Sequence, residues 1–466
     1  MNRLASLAIA AAAALPGSCL ADTPAAEPPP AARPASASSS PASLAGPLRF
    51  DFGTGPAAAG WRRVPPSTAY SKERGFGFEP GAAVEGVDRG EGTSGASGPT
   101  ADPVRADYCT AAAPFLFSVD LPEGNYDVTV TLGDAKGTSA TTVKAESRRL
   151  MLENVQTAAG QFERRTFTVN VRRPEFAGPD SSAKHVKLKA REKAYLHWDD
   201  RLTLEFAGPK PCVGGVEIVP APSAVTVFIA GDSTVTDQPN EPYNSWGQML
   251  PRFFKPGVAV ANHAESGESL RSSLGAGRFD KIWSAIRPGD YLLVQFGHNY
   301  QKDKNPGAGA QTTYAAFLVQ VVAEARRHGA NPVLVTPVSR RSFGDAGKGT
   351  TIVSNLGEFP DAARRVAAEQ KVPLVDLNAM SRSFYEAMGP EKSKLAFAPG
   401  DNTHHDNYGS YELAKCVVEG LRTAVPDLAA RLADDVPRFD PAHPDPVDAF
   451  AVPASATRPA AKPDGN

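Results

Sequence analysis

The sequence predicts two folded domains in series: an antiparallel β-sandwich of the jelly-roll type, then an α/β domain built on a parallel sheet. Across residues 48–220, Gly, Pro and Asp divide the chain into short segments of alternating polarity, a pattern typical of sandwiches. From Val225 onward, continuous Val, Leu and Ile runs alternate with segments of helical periodicity. This alternation indicates parallel strands covered by helices on both faces. The patterns place the domains at residues 47–221 and 224–432.

The clearest elements support this division. In the first domain, LPEGNYDVTVTLGD reads as a turn and a strand that carries Tyr126, Val128 and Val130 on one face. In the second, five apolar runs are predicted as strands, and TTYAAFLVQVVAEARRHG is predicted as a helix because it ends in a basic turn and a Gly. The predicted strands are VTVFIAGDS, VAVANHA, YLLVQFGHN, NPVLVTPVS and VPLVDLN.

Composition excludes two classes of partner. The 466 residues are 41% hydrophobic and 21% charged, so the chain is too long for one ordinary core and too apolar to be disordered throughout. A formal net charge of -2 provides no clustered basic surface for nucleic acid or an anionic membrane. We therefore expect a neutral or mildly charged partner. No stretch after the N-terminus is long and apolar enough to be a membrane span. The protein is also expected to be a monomer.

The N-terminus is typical of a secretory signal peptide. Arg3 precedes the apolar run LASLAIAAAAALPGSCLAD, which is too short to span a bilayer and ends in small residues suited to cleavage after Ala21. The mature protein is therefore expected to be secreted or periplasmic. Cys19 raises lipoprotein anchoring as an alternative, but Pro16 stands where a lipobox usually has Leu, so we rank it second.

Two further segments lack the large apolar side chains that a core needs. Residues 22–46 consist mainly of Pro, Ala and Ser, and they are predicted to form a tether. The C-terminal segment, residues 433–466, has a similar Pro- and Ala-rich composition. From about Pro437 we expect it to be disordered or loosely draped over the surface.

Polar residues follow the first three predicted parallel strands, and a fourth polar group precedes the last helix. Right-handed crossovers bring such strand ends to one edge of the sheet. Together these segments supply the parts needed for acyl transfer: the Ser233 hydroxyl, the His404 imidazole and the Asp401 carboxylate. The backbone N–H groups of Ser233 and Gly267 and the Asn299 amide are candidate donors to an oxyanion.

These polar segments resemble the blocks of SGNH (GDSL) hydrolases. GDS at 231–233, Gly267, GHN at 297–299 and DNTH at 401–404 occur in the family's order. QFGHN followed by QK, and DNTH followed by NYG, resemble more narrowly the rhamnogalacturonan acetylesterases of carbohydrate esterase family 12. FDFGTGP and TAYSKERGFGFE resemble the galactose-binding-like module that precedes the hydrolase in some bacterial members.

This resemblance implies a three-layer flavodoxin-like αβα hydrolase that uses no metal or other cofactor. It implies removal of O-acetyl groups from pectic polysaccharide, with Ser233 as nucleophile, His404 as base and Asp401 as the partner of the base. Ser233, Gly267 and Asn299 are the implied oxyanion donors. His405 is the nearest rival to His404, but the DxxH spacing favours His404.

Two positions depart from the family pattern. Tyr300 stands where the family usually has Asp, and Glu268 stands where it usually has Arg. With His298, these are candidate substrate-binding residues, and for His298 a role in orienting its loop is an equal alternative. The alternatives to a pectin deacetylase are an esterase acting on another acetylated glycan such as xylan or on small esters, or a carbohydrate-binding protein with impaired catalysis. The sandwich either binds sugar or only caps the catalytic domain.

The cysteines indicate neither a metal site nor a settled disulfide. Cys109 and Cys212 lie in the same half of the chain, so a bridge between them remains open. No CxxC or similar ligand spacing occurs, and Cys416 in YELAKCVVEGL is expected to be a buried helical residue.

Overall fold

The computed structural model describes residues 46–90, 103–347, 349–353 and 355–456. The expected signal peptide, Cys19 and nearly all of the tether lie outside the described residues. Within these ranges, no helix combines the length and the apolar character needed to cross a membrane.

The first domain consists mainly of two β-sheets. One sheet contains strands in the order β10-β7-β14-β1-β2, with β5 pairing to β14 and to β4, and the other has the order β3-β6-β13-β8-β9. The pairs are antiparallel except β1–β2, which is parallel. The strands, including the separate β11–β12 hairpin, are β1 (Leu48–Phe52), β2 (Arg62–Val64), β3 (Phe76–Phe78), β4 (Glu85–Asp88), β5 (Asp107–Thr110), β6 (Phe115–Asp120), β7 (Gly124–Gly133), β8 (Ser139–Ala145), β9 (Arg149–Thr157), β10 (Phe162–Val171), β11 (Glu175–Ala177), β12 (Ala183–His185), β13 (Arg201–Lys210) and β14 (Val213–Pro220).

A cluster of aromatic rings joins the two sheets. Phe52 of β1 lies 4.7 Å from Phe117 of β6 and 5.5 Å from Phe78 of β3, measured between ring centroids. All three rings are buried. Because alternate residues of a strand point to opposite faces, this cluster marks the inner faces of the sheets. The sandwich that the alternating segments predicted is therefore present.

The second domain is built on the parallel sheet that the apolar runs predicted, with strand order β16-β15-β17-β18-β19. Its strands are β15 (Val225–Gly231), β16 (Val258–Asn262), β17 (Tyr291–Gln295), β18 (Asn331–Val335) and β19 (Leu374–Val375). The α-helices of the described residues are α1 (Trp246–Met249), α2 (Leu270–Gly275), α3 (Arg278–Ala285), α4 (Ala315–Arg327), α5 (Gly344–Gly347), α6 (Phe359–Gln370), α7 (Leu377–Lys392), α8 (Asn407–Ala424) and α9 (Pro426–Ala429).

Both faces of this sheet are buried. Val227 and Ile229 of β15 belong to a core shared with α1 and α8, whereas Phe228 and Ala230 belong to a second core shared with α3 and α4. Continuous apolar runs arise here because each strand residue, on either face, is covered by a helix. The polar residues that follow the strands are therefore confined to the carboxyl edge of the sheet.

Residues 437–456 correct the expectation of a disordered or loosely draped tail. The Phe450 ring lies 5.4 Å from the Tyr411 ring of α8. The Ser455 hydroxyl donates a 2.8 Å hydrogen bond to Glu205 in the first domain. These contacts attach the segment to both domains.

Candidate active site

Three side chains meet at the carboxyl edge of the parallel sheet. The Ser233 hydroxyl donates to His404 Nε2 at 2.9 Å, and His404 Nδ1 donates to Asp401 Oδ2 at 2.9 Å. Ser233 and His404 are each 1% exposed and Asp401 is 5% exposed. A hydroxyl, an imidazole and a carboxylate in this order can form a nucleophile, its base and the group that orients the base.

Local hydrogen bonds hold the turn that carries Asp401 and His404. Asp401 Oδ1 accepts from the backbone N–H groups of Thr403 at 2.8 Å and His404 at 3.1 Å. The other carboxylate oxygen remains for the imidazole. The Asp406 side chain caps the N-terminus of α8 by accepting from Gly409 N at 2.9 Å, which fixes the end of the turn.

The turn that carries Ser233 is built around Asp232, which is fully buried. Asp232 Oδ1 accepts from the backbone N–H and the hydroxyl of Thr234 at 3.0 and 2.8 Å, and Oδ2 lies 3.2 Å from His298 Nδ1. Burial raises the pKa of Asp232, but His298 and the hydrogen bonds from Thr234 outweigh burial and lower it. His298, itself 1% exposed, thus contacts the Ser233 turn through Asp232.

The candidate oxyanion donors belong to loops at the carboxyl edge of the sheet. Gly267 has a φ of 79°, which favours glycine and turns the loop after β16 toward the sheet edge. Asn299 Nδ2 donates to the Glu268 carbonyl oxygen at 3.0 Å, which joins this loop to the end of β17. Among the described residues, the backbone N–H groups of Ser233 and Gly267 donate to no protein acceptor. Both donors are therefore available to a ligand oxygen.

The structure corrects the prediction that Tyr300 contacts substrate. Tyr300 is 2% exposed, and its ring centroid lies 5.4 Å from that of Tyr314 and 5.7 Å from that of Phe359. Its hydroxyl donates to Thr313 Oγ1 at 3.1 Å. The short helical turn that follows Asn299 directs this side chain into the core beneath α4 and α6.

Glu268 also differs from its predicted role as a substrate contact. It is 4% exposed, pairs with Lys189 Nζ of the first domain at 3.0 Å and accepts a hydrogen bond from Ser272. Its carboxylate is therefore occupied by a contact between the domains.

His405 lies in the core and not beside Ser233. It is fully buried, its Nε2 lies 2.7 Å from the Tyr385 hydroxyl, and its ring centroid is 4.3 Å from that of Phe397. Burial lowers the pKa of His405 to about 3. Its neutral ring is consistent with a structural role, and His404 is the histidine beside Ser233.

Gln238 is a residue of the site that sequence reasoning missed. The side-chain Nε2 of Gln238 donates to the Ser233 carbonyl oxygen at 2.7 Å. The backbone carbonyl oxygen of Gln238 accepts from Gln248 Nε2 at 2.9 Å and from Arg148 Nη1 at 3.1 Å. Arg148 belongs to the first domain. The backbone of Ser233 is thus connected to the sandwich through one side chain.

The turn between β8 and β9 of the sandwich makes this contact. Glu146 and Arg148 have φ values of 59° and 63°, so the backbone adopts the left-handed conformation at both. Arg149 Nε donates to Asp237 Oδ2 at 2.6 Å, and the two side chains are 1% and 0% exposed. Asp237 Oδ1 accepts from Asn262 Nδ2 at 2.8 Å. A buried ion pair therefore joins the sandwich to the segment just after Ser233.

A second set of ion pairs joins the sandwich to the loop after β16. Arg191 pairs with Glu265 at 2.6 Å, close to the Glu268–Lys189 pair. The sandwich therefore contacts two of the loops that form the site.

The described cysteines form no disulfide. Cys109, Cys212 and Cys416 are buried free thiols, so the bridge that the sequence left open is not formed. Trp246 is fully buried and donates to Gln295 Oε1 at 2.8 Å. Among the described residues, no group of three or more His, Cys, Asp or Glu side chains is arranged to hold a metal ion.

Comparison with known proteins finds similarity in both domains. A family model described as GDSL-like lipase/acylhydrolase matches residues 229–413. A model described as β-agarase/YXIM esterase-like, galactose-binding domain-like, matches residues 48–170.

Individual relatives are similar over one or both domains. The rhamnogalacturonan acetylesterase RhgT of Bacillus subtilis is 43% identical over 212 residues, which are 42% of this chain and 89% of that protein. The uncharacterized esterase YxiM of the same organism is 28% identical over 383 residues, 80% of this chain and 90% of that protein. The crystal structure of the YxiM protein has a TM-score of 0.42 and 26% identity, and the match covers 81% of this chain and 98% of that chain.

Proposed function

Because this chain belongs to the GDSL-like lipase/acylhydrolase family and is a serine esterase, we propose that it removes O-acetyl groups from a pectic polysaccharide. The observation that carries the proposal is the hydrogen-bonded chain of Ser233, His404 and Asp401 at the carboxyl edge of the sheet. The 43% identity to a rhamnogalacturonan acetylesterase supports the choice of substrate. The signal-like N-terminus supports action outside the cytoplasm, where such polymers occur.

In the proposed mechanism, Ser233 Oγ attacks the acetyl carbonyl carbon while His404 Nε2 takes the hydroxyl proton. Asp401 accepts from His404 Nδ1, so the imidazole has Nε2 free as a base and its positive charge is stabilised once it is protonated. The C–O bond to the sugar breaks as His404 returns the proton to the sugar oxygen. A water molecule, deprotonated by the same imidazole, then attacks the acetyl-enzyme; the bond from the acetyl carbon to Ser233 Oγ breaks, His404 returns the proton to Oγ, and acetate leaves.

Charge develops on the acetyl oxygen during both attacks. The backbone N–H groups of Ser233 and Gly267, which have no protein acceptor among the described residues, and the Asn299 amide are the proposed donors to this oxygen. The bond between Asn299 and the Glu268 carbonyl supports this role, because it uses one amide hydrogen and leaves the other available.

The departures at Tyr300 and Glu268 do not argue for impaired catalysis. Tyr300 is in the core and Glu268 pairs with Lys189, so neither displaces a member of the proposed triad. We therefore favour an active esterase over a carbohydrate-binding protein that has lost catalysis.

Asn299→Ala tests the proposed oxyanion site. We expect kcat for p-nitrophenyl acetate to fall about 10²- to 10³-fold, with a much smaller change in KM, because the lost donor acts mainly on the transition state. Asn305→Ala, at an exposed asparagine, is the matched control and should retain wild-type kinetics. An Asn299 variant that folds normally and keeps wild-type kcat would exclude the amide as an oxyanion donor.

The substrate is tested by acetate release from defined polymers. The wild-type protein is incubated with acetylated rhamnogalacturonan and with acetylated xylan at equal acetyl content, and initial rates are compared. We expect faster release from rhamnogalacturonan. A preference for xylan would contradict the pectic substrate but not the esterase mechanism, and hydrolysis of p-nitrophenyl acetate alone would indicate a small-ester enzyme.

A further inference from the structure

A groove of about 310 Å³ lies beside the turn that carries Asp401. It is separate from the Ser233 turn in sequence, since it is formed by the loop after β18 and by the segment before His404. Residues that line the groove include Arg340, Arg341, Asn355, Asp401, Asn402 and Thr403.

The fold places this groove on the same edge of the sheet as Ser233. β18 is separated from β15 only by β17, so its end lies roughly 10 Å from the end of β15 at ordinary strand spacing. The loop after β18 is attached to the triad turn, because Arg341 N donates to the Asn402 carbonyl oxygen at 2.8 Å. A sugar chain with one unit at Ser233 can therefore place a neighbouring unit in the groove.

The two arginines of the groove differ in how their charges are balanced. Arg340 Nη1 donates to Thr403 Oγ1 at 2.5 Å. Burial lowers the pKa of Arg340, while the nearby carboxylates of Asp232 and Asp401 oppose this effect. Arg340 is therefore held by groups of the catalytic turns, and its charge is already compensated.

The charge of Arg341 is balanced less directly. Arg341 forms no salt bridge with any acidic side chain of the described residues. Its Nη1 donates to the Pro390 carbonyl oxygen at 3.1 Å, and its Nε is buried without a partner. Glu391, the carboxylate that acts on it electrostatically, pairs instead with Lys394 at 2.7 Å. Arg341 Nε is itself buried, but Nη2 donates to no acceptor among the described residues, so the partly buried guanidinium keeps a donor group for a ligand in the groove.

We propose that Arg341 binds a substrate carboxylate, and that the groove is a subsite for a uronate of the acetylated chain. This inference rests on the proposed function. Guanidinium groups bind carboxylates through charge-assisted hydrogen bonds, and a half-buried site weakens competition from water. Pectic chains carry uronate carboxylates, whereas the backbone of xylan is neutral. Arg341 would therefore contribute to the choice between the two polymers.

The test compares one oligosaccharide in two forms. Acetylated rhamnogalacturonan oligosaccharide is used with its uronates intact and after their reduction to neutral sugars, and kcat/KM is measured for each. A charge-assisted hydrogen bond predicts that wild-type protein prefers the uronate form by about 10- to 100-fold, mainly through KM. Arg341→Gln should reduce this ratio to near one, and Arg341→Lys should retain part of it.

Arg382→Gln is the matched control, since its side chain is 39% exposed and lies on α7 outside the groove. It should keep the wild-type ratio. The ratio of kcat/KM for the uronate form to kcat/KM for the reduced form does not depend on how much of the protein in one preparation is folded. A partly unfolded variant therefore still gives a valid result.

The outcomes separate the two proposals. Two results would overturn the uronate subsite and leave the proposed function standing. One is equal kcat/KM of the wild-type protein for both forms, and the other is an Arg341→Gln variant that keeps the full preference for the uronate form. Failure to release acetate from either form, with p-nitrophenyl acetate still hydrolysed, would overturn the pectic substrate and the subsite together.

Discussion

Replacing Ser233 with alanine is expected to lower kcat for p-nitrophenyl acetate by roughly 10⁴- to 10⁶-fold, because it removes the proposed nucleophile. The residual rate would come from the remaining oxyanion donors and from substrate binding. Stability should change by about 1 kcal/mol or less, since only one hydroxyl and its hydrogen bond to His404 are lost. The bond from Gln238 to the Ser233 carbonyl oxygen involves the backbone and is retained.

Ser284→Ala on α3 provides the control for the loss of a hydroxyl. Its Oγ donates only to the Lys281 carbonyl oxygen, far from the site in the sequence, and we expect full activity. The variants are compared by steady-state kinetics, by the p-nitrophenol burst and by thermal unfolding. A Ser233→Ala protein that retains most of the wild-type rate and burst would show that another group is the nucleophile.

The convergence of the site residues could be predicted because it depends on two simple regularities. Parallel strands bring their carboxyl ends to one edge, which places the loops that carry Ser233, Gly267 and Asn299 at that edge although they are far apart in sequence. Asp401 and His404 are three residues apart, so their contact is local. Neither inference requires knowledge of how individual side chains pack.

Side-chain direction in irregular segments could not be predicted in the same way. Tyr300 is adjacent to Asn299, but a short helical turn directs one toward the core and the other toward Glu268. Sequence periodicity does not define directions in so short a turn. The large aromatic cluster around Tyr314 decides the position of Tyr300, and that cluster exists only in the folded protein.

The contacts between the domains also could not be predicted from the sequence. Arg148 and Gln238 are 90 positions apart, and an arginine in a hairpin turn is ordinarily a solvated surface residue. Composition was misleading for the C-terminal segment as well. Averaged over many Pro and Ala residues, it predicts disorder, but two aromatic side chains, Phe439 and Phe450, pack against residues of α8.

Breaking the buried pair between Arg149 and Asp237 should give the largest loss of stability among the changes considered. Arg149→Met keeps most of the side-chain volume but removes the close partner of the buried Asp237 carboxylate, which then has Asn262 and the more distant Arg172, at 3.9 Å. Loss of one partner of a buried ion pair typically costs about 3–5 kcal/mol, and the contacts that remain place the expected cost near the lower end of this range. Arg365→Met, in an exposed pair with Glu369 on α6, is the control and should cost about 0.5 kcal/mol or less. The free energy of unfolding is measured for both by urea denaturation.

The double variant Arg149→Met with Asp237→Asn distinguishes the ion pair from lost packing. If the cost comes from the carboxylate that has lost its close partner, the second substitution removes that charge and should recover part of the stability. The recovery is incomplete, because Asp237 is also the carboxylate 3.9 Å from the buried Arg172. Activity of the folded Arg149→Met protein should also fall, because Asp237 precedes Gln238, whose side chain holds the Ser233 carbonyl oxygen. An Arg149→Met protein no less stable than Arg365→Met, and with wild-type kcat, would mean that the sandwich merely adjoins the catalytic domain. A loss of both stability and kcat, partly reversed in the double variant, would indicate that the sandwich helps to position the Ser233 turn.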